Sequence, residues 1–255
     1  MDLKLCKQVD NASLGRWYDI DGIYVPSVST VAKYGCPVNS YLWDHMLKQA
    51  IRSGALDSFK REKSEALRVG TAVHDNVERL IEGKSINIEN DPEVQRGLIC
   101  FMKFIDAYNP QIQSYEEILF CTDMYQGALK YPFAGRCDAT MMIDSELWLI
   151  DWKTSLTLDD KRFPIQLSMY KALYDATHDR PIDRMGVVHL KKRYQGAEPS
   201  SRTKFLREYQ FDMTAVKCSL YMFNYFYDHS DSRGKPKLQP DLKSEFKLGD
   251  MYENI

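Results

Sequence analysis

Hydrophobic side chains recur at helical spacing through much of the first half of the chain. Between residues 64 and 82 they fall on one helical face, at Leu67, Val73, Val77, Leu80 and Ile81. Gly83 predicts the end of this helix. The same spacing predicts helices over residues 39–52 and 92–108.

Turn signals precede these helices. Residues 16–26 are typical of a hairpin whose turn is the Asp21-Gly22 pair. Ser27 directly follows Pro26 and is a typical N-cap residue, so we expect a short helix to begin there.

The second half mixes strands and helices. β-branched and aromatic residues predict strands over residues 113–125, 133–143, 147–153, 184–193 and 205–212. The turn-like pairs Gln126-Gly127 and Asp144-Ser145 separate the first three strands. Helical spacing returns over residues 160–177 and 213–228. This order predicts an α/β fold with a central mixed β-sheet flanked by helices.

Composition narrows the class of protein. The 255 residues favour one domain, with room for a second small one, and can form a core without a metal or a disulfide. A hydrophobic fraction of 44% argues against a disordered chain. The 34 basic and 36 acidic residues give a net charge of −2, which excludes a histone-like polycation but not a nucleic-acid enzyme with a local basic patch.

The cysteines and the N-terminus indicate the cellular compartment. The six cysteines contain no CxxC pair: Cys6, Cys36, Cys100, Cys121, Cys137 and Cys218. This spacing argues against zinc ribbons and predicts reduced thiols. The first residues resemble neither a signal nor a transit peptide, and no apolar run approaches the ~20 residues of a spanning helix. We therefore expect a soluble cytoplasmic protein with no membrane partner.

The candidate chemistry lies between residues 133 and 155. Strand alternation puts Asp151 and Lys153 on one face and Trp152 on the other, and a hairpin connection brings Asp138 beside Asp151. Neighbouring carboxylates repel unless a cation offsets them, and oxygen donors suit Mg²⁺ or Mn²⁺ better than zinc. An isolated D-x-K pattern is usually a pair of surface charges.

Two further pairs accompany this pattern. His74 and Glu78 are four residues apart on one helical face, as are Gln166 and Tyr170 on the helix after the D-x-K strand. The chain therefore presents four motifs in order: G-x-x-x-H-x-x-x-E at 70–78, G-R-x-D at 135–138, D-W-K-T-S at 151–155 and Q-x-x-x-Y at 166–170.

This ordered set resembles the RecB-like branch of the PD-(D/E)xK nuclease superfamily over about residues 65–193. Residues 22–50 also resemble the segment before this core in the mitochondrial genome maintenance exonuclease and its phage-encoded relatives. The resemblance implies a restriction-endonuclease-like core. It divides the chain into an N-terminal hairpin and helical covering segment (1–64), the nuclease core (65–228) and a polar C-terminal tail (229–255).

The resemblance also assigns roles. Asp138, Asp151, His74 and the carbonyl of Trp152 are implied to hold the metal, and Lys153 to position or deprotonate the attacking water. Glu78 either orients the water or His74, or is a solvated helix residue. Glu117 resembles the family's additional acidic residue, with the adjacent Glu116 as the alternative. The family's iron–sulfur branch uses a C-terminal cysteine cluster, and because only Cys218 follows Cys137, no iron–sulfur cluster is expected.

DNA contacts are expected around this centre. Gln166 and Tyr170 either contact DNA phosphate or steady the lysine, and their alternative is an ordinary half-buried helix face. Thr154 and Ser155 either donate hydrogen bonds to phosphate or cap the following turn. Residues 184–207 hold seven basic residues and one acidic residue, a net of +6, which includes Lys191, Lys192 and Arg193. This run is either a solvated face or a guide for the strand.

The sequence therefore predicts a metal-dependent DNA exonuclease that prefers single-stranded ends, with residues 26–68 as a cover that admits only a threaded strand. A structure-specific or flap endonuclease on the same core is the alternative enzyme. A nucleic-acid-binding module that has lost catalysis is the alternative of another class, and the intact Asp138, Asp151 and Lys153 argue against it.

Overall fold

The computed structural model gives the structure of most of the chain. The described residues are 6–11, 15–20, 22–33, 48, 51–52, 58–86, 91–120, 133–155, 158–191 and 205–229.

A small antiparallel sheet opens the chain. Its strands, in spatial order, are β1 (Cys6–Asn11), β2 (Gly15–Ile20) and β3 (Ile23–Pro26). The predicted hairpin is confirmed as β2–β3, and Gly22 takes a φ of +82° in its turn, a conformation that glycine adopts without strain. The sequence did not predict β1. Helix α1 (Val28–Ala32) follows, with the predicted cap, because the Ser27 side chain accepts a hydrogen bond from the Thr30 amide at 3.1 Å.

Two longer helices come next. Helix α2 (Ser58–Ile81) begins before the predicted start at residue 64, and α3 (Pro92–Tyr108) has the predicted bounds. Asp91 caps α3, since its carboxylate accepts a hydrogen bond from the Glu93 amide at 2.8 Å. Of the helix predicted over residues 39–52, only residues 48, 51 and 52 are described, and these are helical.

The second half forms a five-stranded sheet. In spatial order its strands are β4 (Gln111–Phe120), β5 (Ala134–Ile143), β6 (Glu146–Lys153), β7 (Arg184–His189) and β8 (Leu206–Tyr209). Only β6 and β7 are parallel, and α4 (Arg162–Thr177) connects them. Helix α5 (Met213–His229) follows β8. The predicted α/β class, a mixed sheet flanked by helices, is confirmed.

The turn between β5 and β6 fixes the register of the central hairpin. Asp144 and Ser145 both take positive φ values, 49° and 70°, as a two-residue hairpin turn requires. Ile143 pairs with Glu146 directly outside this turn. The predicted turn at Asp144-Ser145 is thus confirmed, whereas Gln126-Gly127 lies outside the described residues.

Helices cover both faces of the large sheet, and β6 contributes to both cores. Leu147 and Leu149 join the core beneath α1, α4 and α5, whereas Trp148, Ile150 and Trp152 join the core beneath α2 and α3. This alternation directs the odd-numbered residues at the end of β6 towards α4.

The N-terminal elements are integrated into the first of these cores. Trp17, Val28 and Val31 are fully buried together with residues of α4 and α5. Residues 15–33 therefore belong to the packed body, whereas the sequence analysis placed them in a covering segment. Most of residues 34–57, and residues 230–255 of the predicted tail, lie outside the described residues. No helix in the described part of the chain is long and apolar enough to cross a membrane.

Candidate metal centre

The β5–β6 hairpin places two carboxylates side by side. The paired stretch ends at Ala139 and Ile150, and Asp138 and Asp151 are the next residues along the two strands. Asp138 is held by the backbone of β6, since its Oδ2 accepts a hydrogen bond from the Trp152 amide at 2.8 Å. The sequence prediction that a hairpin joins these two aspartates agrees with this geometry.

Asp151 is buried between a lysine and an amide. Its Oδ1 accepts a hydrogen bond from Gln166 Nε2 of α4 at 3.2 Å. Its Oδ2 is in ionic contact with the Lys153 ammonium, but this buried oxygen accepts no directed hydrogen bond from the described residues. Asp151 is 4% exposed, so the Lys153 contact and the Gln166 hydrogen bond fix a buried carboxylate beside Asp138.

His74 reaches the same place from α2. Its Nε2 is 3.1 Å from the carbonyl oxygen of Trp152, and its Nδ1 is 3.9 Å from Asp138 Oδ2. A carbonyl can only accept a hydrogen bond, so Nε2 carries the proton. In the neutral ring the lone pair of Nδ1 then faces the Asp138 carboxylate, and a cation suits the space between two such donors.

Glu116, and not Glu117, is the third acidic residue of the centre. The neighbours of Glu116 on β4 pair with the neighbours of Asp138 on β5, so the two carboxylates lie opposite each other. Ligand atoms of Glu116, Asp138 and His74 all lie within 4.8 Å of one another. Arg136 contacts the Glu116 carboxylate at 3.2 Å.

The assignment of Glu117 is corrected by its contact on the other side of β4. Its Oε1 lies 3.0 Å from Nε2 of His178, at the C-terminal end of α4. The physical reason is strand alternation together with the local backbone of Glu116, whose φ is +48°. Glu116 was the alternative that the sequence left open.

Burial and repulsion raise the pKa of two of these carboxyl groups. For Asp138 the causes are burial and then the negative charge of Asp151, and for Glu116 they are burial and then the charge of Asp138. His74 and Lys153 partly offset the effect at Asp138. The ligand atoms of Glu116, Asp138 and His74, with the charge of Asp151 beside them, therefore fit a divalent cation, and oxygen-rich sets of this kind fit Mg²⁺ or Mn²⁺.

Trp152 contributes its backbone to the centre and its side chain to the core. Its indole packs edge-on against Phe101 and Phe104 of α3, with centroid separations of 5.5 and 6.0 Å. The predicted metal-ligating carbonyl of Trp152 lies at the centre, where His74 contacts it.

Thr154 and Ser155, directly after Lys153, both contact neighbouring elements. Thr154 packs against α2 so closely that a Cβ added at Gly70 would lie 3.2 Å from its hydroxyl oxygen. The carbonyl of Ser155 accepts a hydrogen bond from His189 Nε2 at 2.6 Å. Burial lowers the pKa of His189, which favours its neutral form. The predicted phosphate contacts of Thr154 and Ser155 remain predictions.

Gln166 and Tyr170 differ in what they contact. Gln166 binds Asp151, as described, which places it inside the centre. Tyr170 is buried in the core, and a Cβ added at Gly135 would lie 2.5 Å from its ring. The tyrosine therefore packs on the glycine of the G-R-x-D motif and is not exposed to a phosphate.

The remaining predicted site residues are either near the centre or outside the residues that the structure describes. Glu78 is half-buried one turn after His74 on α2. Lys191 is half-buried beyond the end of β7, and Lys192 and Arg193 lie outside the described residues. The basic run from residue 184 to 207 is therefore described only at its two ends.

Two residues near the centre carried no sequence signal. The ring of Phe163 lies beneath the Lys153 ammonium at 5.4 Å. His189 supports the backbone at Ser155, and nothing in its surrounding sequence marks this role. Both are recognised only when α4 and β7 are placed beside the end of β6.

The comparisons with known proteins add little to this geometry. No family model matches the chain, and no curated protein matches it. A solved structure described as "Crystal structure of SSO0001" is 15% identical over 64% of this chain and 75% of that chain, with a TM-score of 0.31. A likeness at that TM-score carries no argument about fold or function.

Proposed function

We propose that the chain is a divalent-metal-dependent deoxyribonuclease of the PD-(D/E)xK type, built on a restriction-endonuclease-like core. One observation carries the proposal. Ligand atoms of His74, Glu116 and Asp138 converge at one end of the sheet, with the charges of Asp151 and Lys153 beside them.

The residues have distinct tasks in this proposal. Glu116, Asp138, Asp151 and His74 would hold Mg²⁺ or Mn²⁺. When bound, this ion supplies an acidified water and neutralises charge on the phosphate that is attacked. Gln166 fixes one oxygen of Asp151, and Asp151 in turn holds the Lys153 ammonium. Lys153 then positions the attacking water and stabilises negative charge that develops on the phosphate.

The lysine is positioned for this task from two sides. Its side chain is 22% exposed, which leaves the ammonium accessible to a phosphodiester. The Phe163 ring lies on one side of it and the Asp151 carboxylate on another. A restrained ammonium loses little freedom when the substrate binds, which favours the transition state.

Single-stranded DNA ends are the proposed substrate because of the resemblance described above. End-labelled single- and double-stranded oligonucleotides, incubated with Mg²⁺, Mn²⁺ or EDTA, test this choice and give the polarity of digestion. We expect metal-dependent release of nucleotides from single-stranded ends. Cutting of a closed single-stranded circle would instead indicate the endonuclease.

The metal centre is tested by two matched substitutions on the β5–β6 hairpin. Asp138→Asn should abolish hydrolysis, whereas Asp144→Asn, in the exposed turn of the same hairpin, should leave it unchanged. Asparagine tolerates the positive φ of residue 144. Hydrolysis by the wild-type protein in EDTA, or undiminished hydrolysis by Asp138→Asn, contradicts the proposal. DNA binding without any hydrolysis indicates the inactive binding module.

A further inference from the structure

Strand β5 interrupts its regular side-chain alternation at the metal centre. Cys137 joins the hydrophobic core beneath α1, α4 and α5, whereas Ala139, two residues later, joins the core beneath α2 and α3. In a regular strand, residues two apart face the same side of the sheet. The strand therefore changes side between these two residues, and the residue between them is Asp138.

Strand β4 shows the same change beside it. The Tyr115 hydroxyl donates a hydrogen bond at 3.2 Å to the carboxylate of Glu82, which directly follows α2. Two residues later, Oε1 of Glu117 lies 3.0 Å from Nε2 of His178, at the C-terminal end of α4 on the opposite face of the sheet. Glu116 lies between the two and takes a φ of +48°. The backbone of this one residue therefore makes the change of side in β4.

The two changes lie at the same level of the sheet. The residues on either side of the change in β4 pair in register with those on either side of the change in β5. Glu116 and Asp138 therefore occupy the change in both strands, and each supplies a ligand atom to the candidate metal centre. The paired change of side is thus what brings the two carboxylates together with His74.

His178 is held in place by its own helix. Its ring stacks on the largely buried ring of Tyr174, with the centroids 3.8 Å apart and the ring planes at 1°. Its Nδ1 lies 3.1 Å from the carbonyl oxygen of Tyr174 and 3.0 Å from the hydroxyl of Thr177. Nε2 is then the atom that contacts Glu117, and because a carboxylate can only accept a hydrogen bond, Nε2 carries the proton. The imidazole is therefore a fixed donor to β4.

We propose that His178 and Glu117 are positioning residues of the metal centre. Their contact holds β4 against the end of α4, and this keeps the Glu116 carboxylate turned towards Asp138 on the other side. A positive φ is unfavourable for a glutamate, so contacts of the neighbouring residues have to maintain it. The inference rests on the proposed function, because the ion that Glu116 binds is the ion of that site.

The test measures the dissociation constant for Mn²⁺ by isothermal titration calorimetry. His178→Phe keeps a ring that can stack on Tyr174 but removes the donor at Nε2. Glu117→Leu removes the acceptor, whereas Glu117→Gln keeps an oxygen that accepts from Nε2. The control is Arg180→Gln, which breaks the 3.3 Å ion pair with Asp183 close to His178 in the sequence but has no part in β4.

We expect His178→Phe and Glu117→Leu to weaken Mn²⁺ binding by about tenfold, the lower end of the effect usual for residues that orient a metal ligand. Glu117→Gln and Arg180→Gln should stay within about twofold of the wild-type value. At saturating Mn²⁺ the kcat of His178→Phe for DNA hydrolysis should approach that of the wild-type protein, because every metal ligand is still present.

A double-mutant cycle shows whether the effect passes through Glu116. In a Glu116→Gln background, His178→Phe should change Mn²⁺ affinity by less than about twofold, because the carboxylate that it positions is already gone. A general defect in the fold would instead add its loss of about tenfold in both backgrounds. The two Glu117 variants give the same comparison should His178→Phe not fold.

The outcomes separate this inference from the proposed function. Unchanged Mn²⁺ affinity in His178→Phe, equal losses in Glu117→Leu and Glu117→Gln, or a full loss in the Glu116→Gln background each overturn the positioning role. A wild-type protein that binds Mn²⁺ but hydrolyses no DNA overturns the proposed function and leaves the positioning role standing. A wild-type protein that binds no Mn²⁺ overturns both.

Discussion

Acidic side chains gather at both ends of the five-stranded sheet, and the two ends differ in how many of these carboxylates pair with an arginine. Where β6 begins, Arg184 contacts Glu146 at 2.7 Å and Glu208 at 3.0 Å, and Arg180 contacts Asp183 at 3.3 Å. Where β6 ends, Glu116, Asp138 and Asp151 lie close together in a more buried setting.

The basic groups at this second end do not balance the carboxylates in the same way. Arg136 contacts only Glu116 among the three, and Lys153 contacts Asp151. Asp138 has His74 and a backbone amide, and its pKa is raised, first by burial and then by Asp151. The two ends therefore differ in charge balance: arginines pair with the carboxylates where β6 begins, whereas burial and mutual repulsion disfavour the charges where β6 ends.

The largest expected effect comes from one aspartate at each end. Asp151→Asn should lower kcat/KM for DNA hydrolysis by at least about 1,000-fold, because it removes a charged ligand and the partner of Lys153. Asp183→Asn should leave kcat/KM within about twofold, because surface pairs contribute little. Steady-state hydrolysis with Mn²⁺ measures both. Similar losses in the two variants would show that the ends do not differ.

The next largest expected effect is the loss of turnover when Lys153 is replaced. Lys153→Gln should lower kcat by about 10²- to 10⁴-fold, the usual contribution of a group that acts on the attacking water. The Kd for single-stranded DNA should change by less than about threefold, since the ammonium acts mainly in the transition state. Single-turnover kinetics and anisotropy measure the two quantities. Near-normal turnover in this variant contradicts the role given to Lys153.

A smaller effect distinguishes two adjacent residues of β4. Glu116→Gln should weaken Mn²⁺ binding by about 10- to 100-fold, whereas Glu117→Gln should leave it nearly unchanged, because Glu117 contacts His178 on the other side of the strand. Isothermal titration calorimetry with Mn²⁺ compares the two variants. The opposite order would restore Glu117 as the metal-centre residue.

The smallest expected effect is on stability, where a substitution at each end should change the free energy of unfolding in opposite directions. Without metal, Asp138→Asn should raise the free energy of unfolding by about 1 kcal/mol, because it removes a buried charge that its neighbours disfavour. Glu208→Gln should lower it by at most about 1 kcal/mol, because an exposed ion pair is lost. Urea denaturation in EDTA measures both values. A lower stability for Asp138→Asn would mean that the charges at the end of β6 are already balanced.

The sequence predicted the elements that local patterns encode. Enrichment in β-branched and aromatic residues located β6, and the Asp144-Ser145 turn set the register that places Asp138 beside Asp151. The cap at Ser27 and the bounds of α3 were equally local signals. These features follow from neighbouring residues, so no knowledge of the tertiary structure was needed.

The sequence failed where a side chain's direction depends on the tertiary structure. The choice between Glu116 and Glu117 turned on a positive φ, which alternation alone does not reveal. Tyr170 matched a motif for substrate contact, yet packing against Gly135 buries it. The resemblance implied that the N-terminal hairpin belongs to a covering segment, but Trp17 packs with residues of α1 and α5 in the main core.

The position of Trp152 has a consequence for how this site can be altered. Its amide and carbonyl face Asp138 and His74, and any residue other than proline supplies these two groups. Only the indole ring requires a tryptophan at this position, and the ring packs against Phe101 and Phe104 of α3. We therefore expect substitutions at Phe101 or Phe104 to shift the backbone of residue 152 and the two groups that contact Asp138 and His74. The geometry of the site can thus change by substitution in an apolar core, without replacement of any charged residue.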